Sequence, residues 1–362
     1  MGMSMYFIPV FAQSFGANFV ELGIIGTVWA LATTITPFLI GHLAGRTNRA
    51  WVYVVSLILN VFTTLLLVLS RSVVDFIVLR FFGGIGIEAF WVTAEIMVTD
   101  LAPIETRVRE MGRYGIALVL GFLIGPLIGG ILTESFGYTN LFIISASVIG
   151  FSTVQALAWL VSGYRTKTAL PSTNFSGYTQ ILKRLFPVYV MIVCFGVVWG
   201  LITTIFPGYA NSIGISAVLI GFLFSAFGVA RIFAYATAHR YSRFGQKKTL
   251  IFVSLIIFVG LVSVAIFPTF LTFLVGIVLI GGGVGVFFPI TIDLVSRNFP
   301  NERAGMAVAS YETAINMGGT VGPYIFGLLT VITTIGSSFL LMSTFGIFMV
   351  LLAVNGMAKP RT

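Results

Sequence analysis

Phe7–Gly16 reads FIPVFAQSFG, and Ile205–Gly214 reads IFPGYANSIG, with Pro207 standing 198 residues after Pro9. The correspondence continues down the chain. Pro103-x-Glu105 pairs with Pro300-x-Glu302, Tyr114 with Tyr311, and Gly125-Pro126 with Gly322-Pro323, all at an offset of 197. An offset held almost constant over a hundred residues marks an internal duplication.

Both copies are written in the same apolar alphabet. Of 362 residues, 58% are hydrophobic and 9% are charged, where a soluble domain carries roughly 25% charged residues. Most of the surface therefore faces lipid. About 20 apolar residues cross a bilayer, and the breaks place spans near 3–16, 20–42, 50–69, 73–98, 110–133 and 138–162. They resume near 185–209, 215–238, 248–267, 270–295, 304–333 and 336–356. The expectation is an all-α membrane protein of twelve transmembrane helices in two pseudo-symmetric six-helix bundles, 1–162 and 185–362. The polar stretch 163–184, rich in Ser, Thr, Pro and Gly, is expected to be a mobile linker between them.

The net charge of +9 is a topological signal. Of the 20 Lys and Arg, 17 fall in the loops after even-numbered spans or at the C-terminus. Arg71 alone lies in an opposite-side loop, while Arg80 and Arg231 fall inside spans. This is the positive-inside pattern of a cytoplasmic (inner) membrane protein with both termini cytoplasmic. Nucleic-acid binding needs basic residues interleaved with exposed aromatics; here the 35 Phe lie within spans. One cysteine, Cys194, excludes an internal disulfide. GGIG (83–86) and GGGVG (281–285) lack a following Lys-Ser/Thr, and two His, at 42 and 239, assemble no zinc site. No cofactor or metal is expected.

Three elements carry a family likeness. The loop after span 2 reads GHLAGRTNRA (Gly41–Ala50), span 4 contains LRFFGGIGIEA (Leu79–Ala89), and span 5 contains GFLIGPLIGG (Gly121–Gly130). Together they resemble the major facilitator superfamily over essentially the whole chain. In the family's G-x-L-a-D-R-x-G-R-K gating loop, Gly41, Leu43, Arg46 and Arg49 match, while Gly45 replaces the acid. The copy after span 8, AHRYSRFGQKK, keeps Arg243, Gly245 and Lys247 but has Ser242 at the acidic position. With both acids absent, Arg49 is expected to pair with Asp100 or Glu312. The GxxxGPxxGG element resembles the signature of the proton-coupled export branch, which includes drug antiporters; the copy at Gly322-Pro323 is looser. The likeness implies rocking of the two halves around a central site lined by spans 1, 4, 7 and 10.

Charges inside a bilayer are costly and mark pathways. Arg80, Glu88, Trp91 and Glu95 share one sector of about 80° on span 4, an arrangement suited to exchange of a proton against a substrate. Trp91 and Trp199 are expected as aromatic walls, and Arg231 is expected to pair with Glu312. Asp293 is expected at the membrane interface. Gly121, Gly125 and Gly129 form a bare stripe beside Pro126, expected to slide against span 8, where Gly221, Ser225 and Gly228 form a similar stripe.

The leading reading is a monomeric exporter in the lipid bilayer, moving a small-molecule substrate against protons. An importer of a sugar, organic anion or other metabolite is the alternative within the family; a non-transporting sensor lies outside it. Span 1 is short. Subtracting 198 from the start of span 7 places its counterpart before Met1, so the first helix is expected to be truncated, with a gap beside span 5.

Overall fold

The computed structural model describes residues 2–44, 48–102, 106–161, 183, 185–242, 244–299 and 304–356. Of the expected linker only Lys183 is among them, and Arg46 and Arg243 lie outside the described residues. The described residues are helical with no strand. A 3-10 turn, Met5–Phe7, leads into α1 (Ile8–Ser14). Then follow α2 (Phe19–Ala44), α3 (Arg49–Leu66) and α4 (Val73–Leu101). The stretch Arg107–Val161 is interrupted at Gly137, whose φ of 80° and ψ of 169° leave the helical region; α5 and α6 are the runs 107–136 and 138–161. α7 is Phe186–Ser212, with a π turn at Leu201–Ile205. The rest are α8 (Ala217–Ser242), α9 (Gln246–Ile266), α10 (Phe270–Ser296), α11 (Ala304–Ile332) and α12 (Ile335–Gly356).

Among the described residues nine helices are long and apolar enough to cross a membrane, with 107–161 taken as one. α1 is too short to be among them, and α4, absent from them, carries Asp75, Arg80, Glu88, Glu95 and Asp100.

Local chemistry fixes the ends. Asn18 and Glu21 form a reciprocal cap on α2: the Asn18 N–H donates to Glu21 Oε2 at 2.8 Å and the Glu21 N–H to Asn18 Oδ1 at 3.0 Å. On α4 the N–H groups of Arg71 and Ser72 donate to Asp75 Oδ2 at 2.8 and 2.9 Å. Such boxes satisfy backbone donors that the first turn leaves open. α1 and α7 both end at a glycine with positive φ, Gly16 at 86° and Gly214 at 84°, so the duplicated segment makes the same turn twice.

One apolar cluster runs through α1, α7, α8, α10 and α11, with Phe7, Phe206, Phe224, Phe273, Phe287 and Tyr311 fully buried. α7 is the most enclosed candidate span, 83% buried. Glycine lets α11 approach it closely: a Cβ on Gly318 would strike the Val193 carbonyl oxygen, and one on Gly322 would sit 2.9 Å from the Val197 Cα. At Gly121, the position 197 residues before Gly318, a Cβ meets nothing within 4 Å. Gly318→Ala is therefore expected to lower the melting temperature in detergent, since overpacking costs about 1–3 kcal/mol. Gly121→Ala should leave it unchanged or raise it slightly, because alanine favours helix by about 1 kcal/mol over glycine. Equal melting temperatures for the two variants would refute this contrast.

Candidate functional site

The helices before and after 163–184 meet along two seams, α5 on α8 and α2 on α11. A Cβ on Gly221 would strike the carbonyl oxygen of Pro126, and one on Gly23 that of Pro323. Ser225 Oγ donates to the Leu123 carbonyl at 2.7 Å, and Thr27 Oγ1 to the Thr320 carbonyl at 2.8 Å. Gly130 abuts Ala217 and Val218, and Gly327 abuts Phe19 and Val20. Each of these contacts recurs in the other seam at the offset of 197 or 198. Between the seams, Asn211 Nδ2 donates to Gln13 Oε1 at 3.0 Å. These two residues are themselves 198 apart, the offset of the duplication.

The seams have a direction. They begin at the helix ends next to Gly16, Gly137 and Gly214, where Glu134 Oε2 accepts from the Val218 N–H at 3.0 Å and supplies the α8 N-terminus with an acceptor from another helix. The closest approaches end near Ala30–Gly319 and Leu123–Gly228, where a Cβ on the glycine would lie 3.6 and 3.5 Å from its neighbour. Beyond them Ile35, Ile116 and Leu120 are exposed.

The glycine stripe of α5 has a different partner from the one expected. A Cβ on Gly125 would lie 2.8 Å from the Gly2 carbonyl carbon, and one on Gly129 would strike the Met3 carbonyl oxygen. The stripe seats the segment before α1, while Leu123, Pro126 and Gly130 on the adjoining face meet α8. A bare stripe permits close approach but names no partner. The stripe of α8, at Gly221, Ser225 and Gly228, does face α5.

Past the seams, Glu88 and Glu95 of α4 come within coulombic reach of Glu312 of α11. α4 and α11 are not among the closely packed helix pairs, so these carboxylates act on one another from helices that are not in close contact. Glu88 and Glu312 are half-buried and Glu95 is exposed. Tyr311, fully buried, shares a hydrogen bond with Thr291 of α10 at 2.9 Å. Trp91 meets Phe122 edge-on at 5.7 Å.

The expected ion pair of Arg231 with Glu312 is not formed: among the described residues no carboxylate lies within 4.0 Å of Arg231. Its guanidinium lies over the rings of Trp199 and Tyr235, each at 5.4 Å, and donates to Tyr235 Oη at 3.2 Å. Arg231 and Glu312 are within coulombic reach of one another, yet the aromatic faces lie nearer to the guanidinium. Arg80 likewise parts from the carboxylates. It is 6% exposed and lies over Trp29 of α2 at 4.9 Å, while Glu88 sits about 12 Å further along the helix axis. Trp29, Tyr235 and Glu134 had no sequence signal beyond residue type, whereas Gln13 and Asn211 stand at matching places of the duplicated segment.

Arg49 is buried at the start of α3, whose first turn is capped by Asn48 accepting from the Ala50 N–H at 3.0 Å. Gly41 and Asp100 fall on α2 and α4, and the Asp100 side chain lies outside the described residues. Asp293 pairs with Arg297 at 2.8 Å on an exposed face. No group of three metal-ligating side chains occurs among the described residues.

Comparison with known proteins agrees with this architecture. The profile of the Major Facilitator Superfamily matches residues 1–234 and 188–361. The chain is similar to an uncharacterized MFS-type transporter of Methanocaldococcus jannaschii, at 26% identity over 94% of this chain and 90% of that one. It is also similar to the multidrug resistance protein MdtG of Enterobacter lignolyticus, at 24% identity over 89% and 80%. Among solved structures, that of the nucleoside transporter NupG shares the fold, with a TM-score of 0.83 at 12% identity over 99% and 96%.

Proposed function

The chain belongs to the major facilitator superfamily, membrane transporters that are not enzymes, and from that premise we propose that it exports a small molecule in exchange for protons by alternating access. Two six-helix halves, 1–162 and 185–362, joined by the linker 163–184, rock about the axis that passes between Gln13 and Asn211. The recurrence of the same contacts in both seams supports this two-fold reading. With both termini cytoplasmic, the seams close the outer side, and the conformation described is open to the cytoplasm. Gly41, Arg46, Arg49, Asp100 and Arg243 belong to the inner ends that must meet when the cycle reverses.

The observation that carries proton coupling is that Glu88 and Glu95 of α4 and Glu312 of α11 lie within coulombic reach of one another. Among the described residues no Lys or Arg lies within 4.0 Å of Glu88 or Glu312. Ionisable groups inside a membrane mark ion paths and proton relays, and one carboxylate on each half lets a proton bind both halves in one state of the cycle. Trp91, Phe122, Trp199 and Tyr235 offer apolar faces for a substrate, with Arg231 on the same wall. Export is favoured by the GxxxGPxxGG element of α5 and by the likeness to a protein named for multidrug resistance.

The test uses the purified chain in proteoliposomes with an imposed pH gradient, acid inside, and ethidium as the first of a panel of lipophilic dyes. Dye accumulation that collapses with the gradient is expected. Uptake indifferent to the gradient across the whole panel would refute the reading.

A further inference from the structure

A second cavity, apart from the carboxylates, lies among α1, α2, α3 and α4. It has a volume of about 60 Å³, and Arg80 shares its wall with Trp29, Asn60, Thr63 and Thr64. Arg80 is more than nine-tenths buried. Its Nε has no hydrogen-bond partner, and among the described residues the guanidinium makes no hydrogen bond and no ion pair. A guanidinium carries five N–H donors and is not deprotonated in proteins. The face of Trp29 offsets only part of the burial of such a charge.

The rest of the wall completes the picture of a site for an anion. None of its lining residues is acidic. Asn60 Nδ2 donates one hydrogen to the Ser56 carbonyl at 2.8 Å and keeps a second. The Thr64 hydroxyl has no hydrogen-bond partner among the described residues. Thr63 is occupied, donating to the Leu59 carbonyl at 2.9 Å. Donors of three kinds thus line one cavity with capacity unused, beside Met5, Ile8 and Leu79, which supply an apolar, low-dielectric surround. Size selects the class of ligand. A water needs roughly 10–15 Å³ of such space, whereas pockets for organic ligands run to about 300–1,000 Å³.

We propose that the Arg80 cavity binds a small monovalent inorganic anion of chloride size, held by Arg80, Asn60 and Thr64, which neutralises the buried charge and ties α3 to α4. The proposal is independent of the transport reading, since it concerns binding and needs no flux.

The experiment is thermal unfolding of the purified full chain in detergent, with sodium chloride or sodium bromide replacing sodium gluconate at constant ionic strength. A ligand of the folded state raises apparent stability by mass action. Chloride and bromide are expected to raise the melting temperature saturably over the gluconate baseline. Arg80→Gln should abolish the response, and Thr64→Val should weaken the halide midpoint about tenfold, the effect of one hydrogen bond to a charged partner. Crystals grown in bromide should give an anomalous peak in this cavity. A wild-type protein without saturable halide dependence overturns the proposal, as does a folded Arg80→Gln that responds like wild type. Should Arg80→Gln not fold, an unchanged midpoint in Thr64→Val together with no bromide peak overturns it equally.

Discussion

Glu312→Gln is expected to bring gradient-driven dye uptake down to the level of protein-free vesicles while leaving the protein folded. Glutamine keeps the shape of the side chain and removes its capacity to release a proton. The neighbouring Tyr311–Thr291 hydrogen bond, at 2.9 Å, holds α11 in place whichever residue stands at 312. Glu88→Gln should have the same effect from the other helix. The double variant should be no worse than either single one, because residues acting as one relay are not additive. Glu110→Gln is the control: Glu110 pairs with Arg113 at 3.0 Å on an exposed face, and surface pairs contribute at most about 1 kcal/mol. Its flux should equal that of wild type. If Glu312→Gln and Glu88→Gln both keep full gradient-driven uptake, the relay does not run through these carboxylates.

Gly221→Leu is expected to hold the outer face apart. Any Cβ at this position strikes the Pro126 carbonyl oxygen, so α5 and α8 cannot close the seam without shifting backbone. Overpacking of about 1–3 kcal/mol, applied to one conformation and not to the other, moves their ratio by roughly 5–150-fold. The readout is labelling by a membrane-impermeant maleimide of a cysteine placed at Ser14, in a Cys194→Ala background. Ser14 ends α1 beside the Gln13–Asn211 contact, which the proposed topology puts at the outer face. Faster labelling with loss of transport is expected, and wild-type labelling in an inserted Gly221→Leu protein would count against a seam that opens. Gly23→Leu, the counterpart in the other seam, should behave alike.

Composition and repeat made the membrane class and the family legible in the sequence, because both depend on sums over many residues. Pairings of single side chains depend on rotation about helix axes, which periodicity alone does not fix. The Gly121–Gly125–Gly129 stripe was visible as a bare face, yet Gly2 and Met3 sit on it, where α8 was expected. Arg231 and Glu312 were visible as intramembrane charges at similar depth, but Trp199 and Tyr235 take the guanidinium. Arg80 and Glu88 share a helix face by spacing, and two turns of rise are enough to put them in separate surroundings. Glu134 was hidden for another reason: α8 has Leu219 rather than an acid in its first turn, so its acceptor arrives from α5, far away in sequence.

The burial of α7 bears on how the chain is made. At 83% buried, this helix has almost no contact with lipid once α1, α8, α10, α11 and α12 surround it, so polar residues could have been accommodated along much of its length. It is nevertheless as apolar as the spans on the rim. During synthesis it leaves the ribosome before any of its later neighbours exist, and at that moment the insertion machinery weighs it against bare bilayer. Its sequence therefore answers to its first solvent, the membrane, and its glycine contacts to its last, the protein.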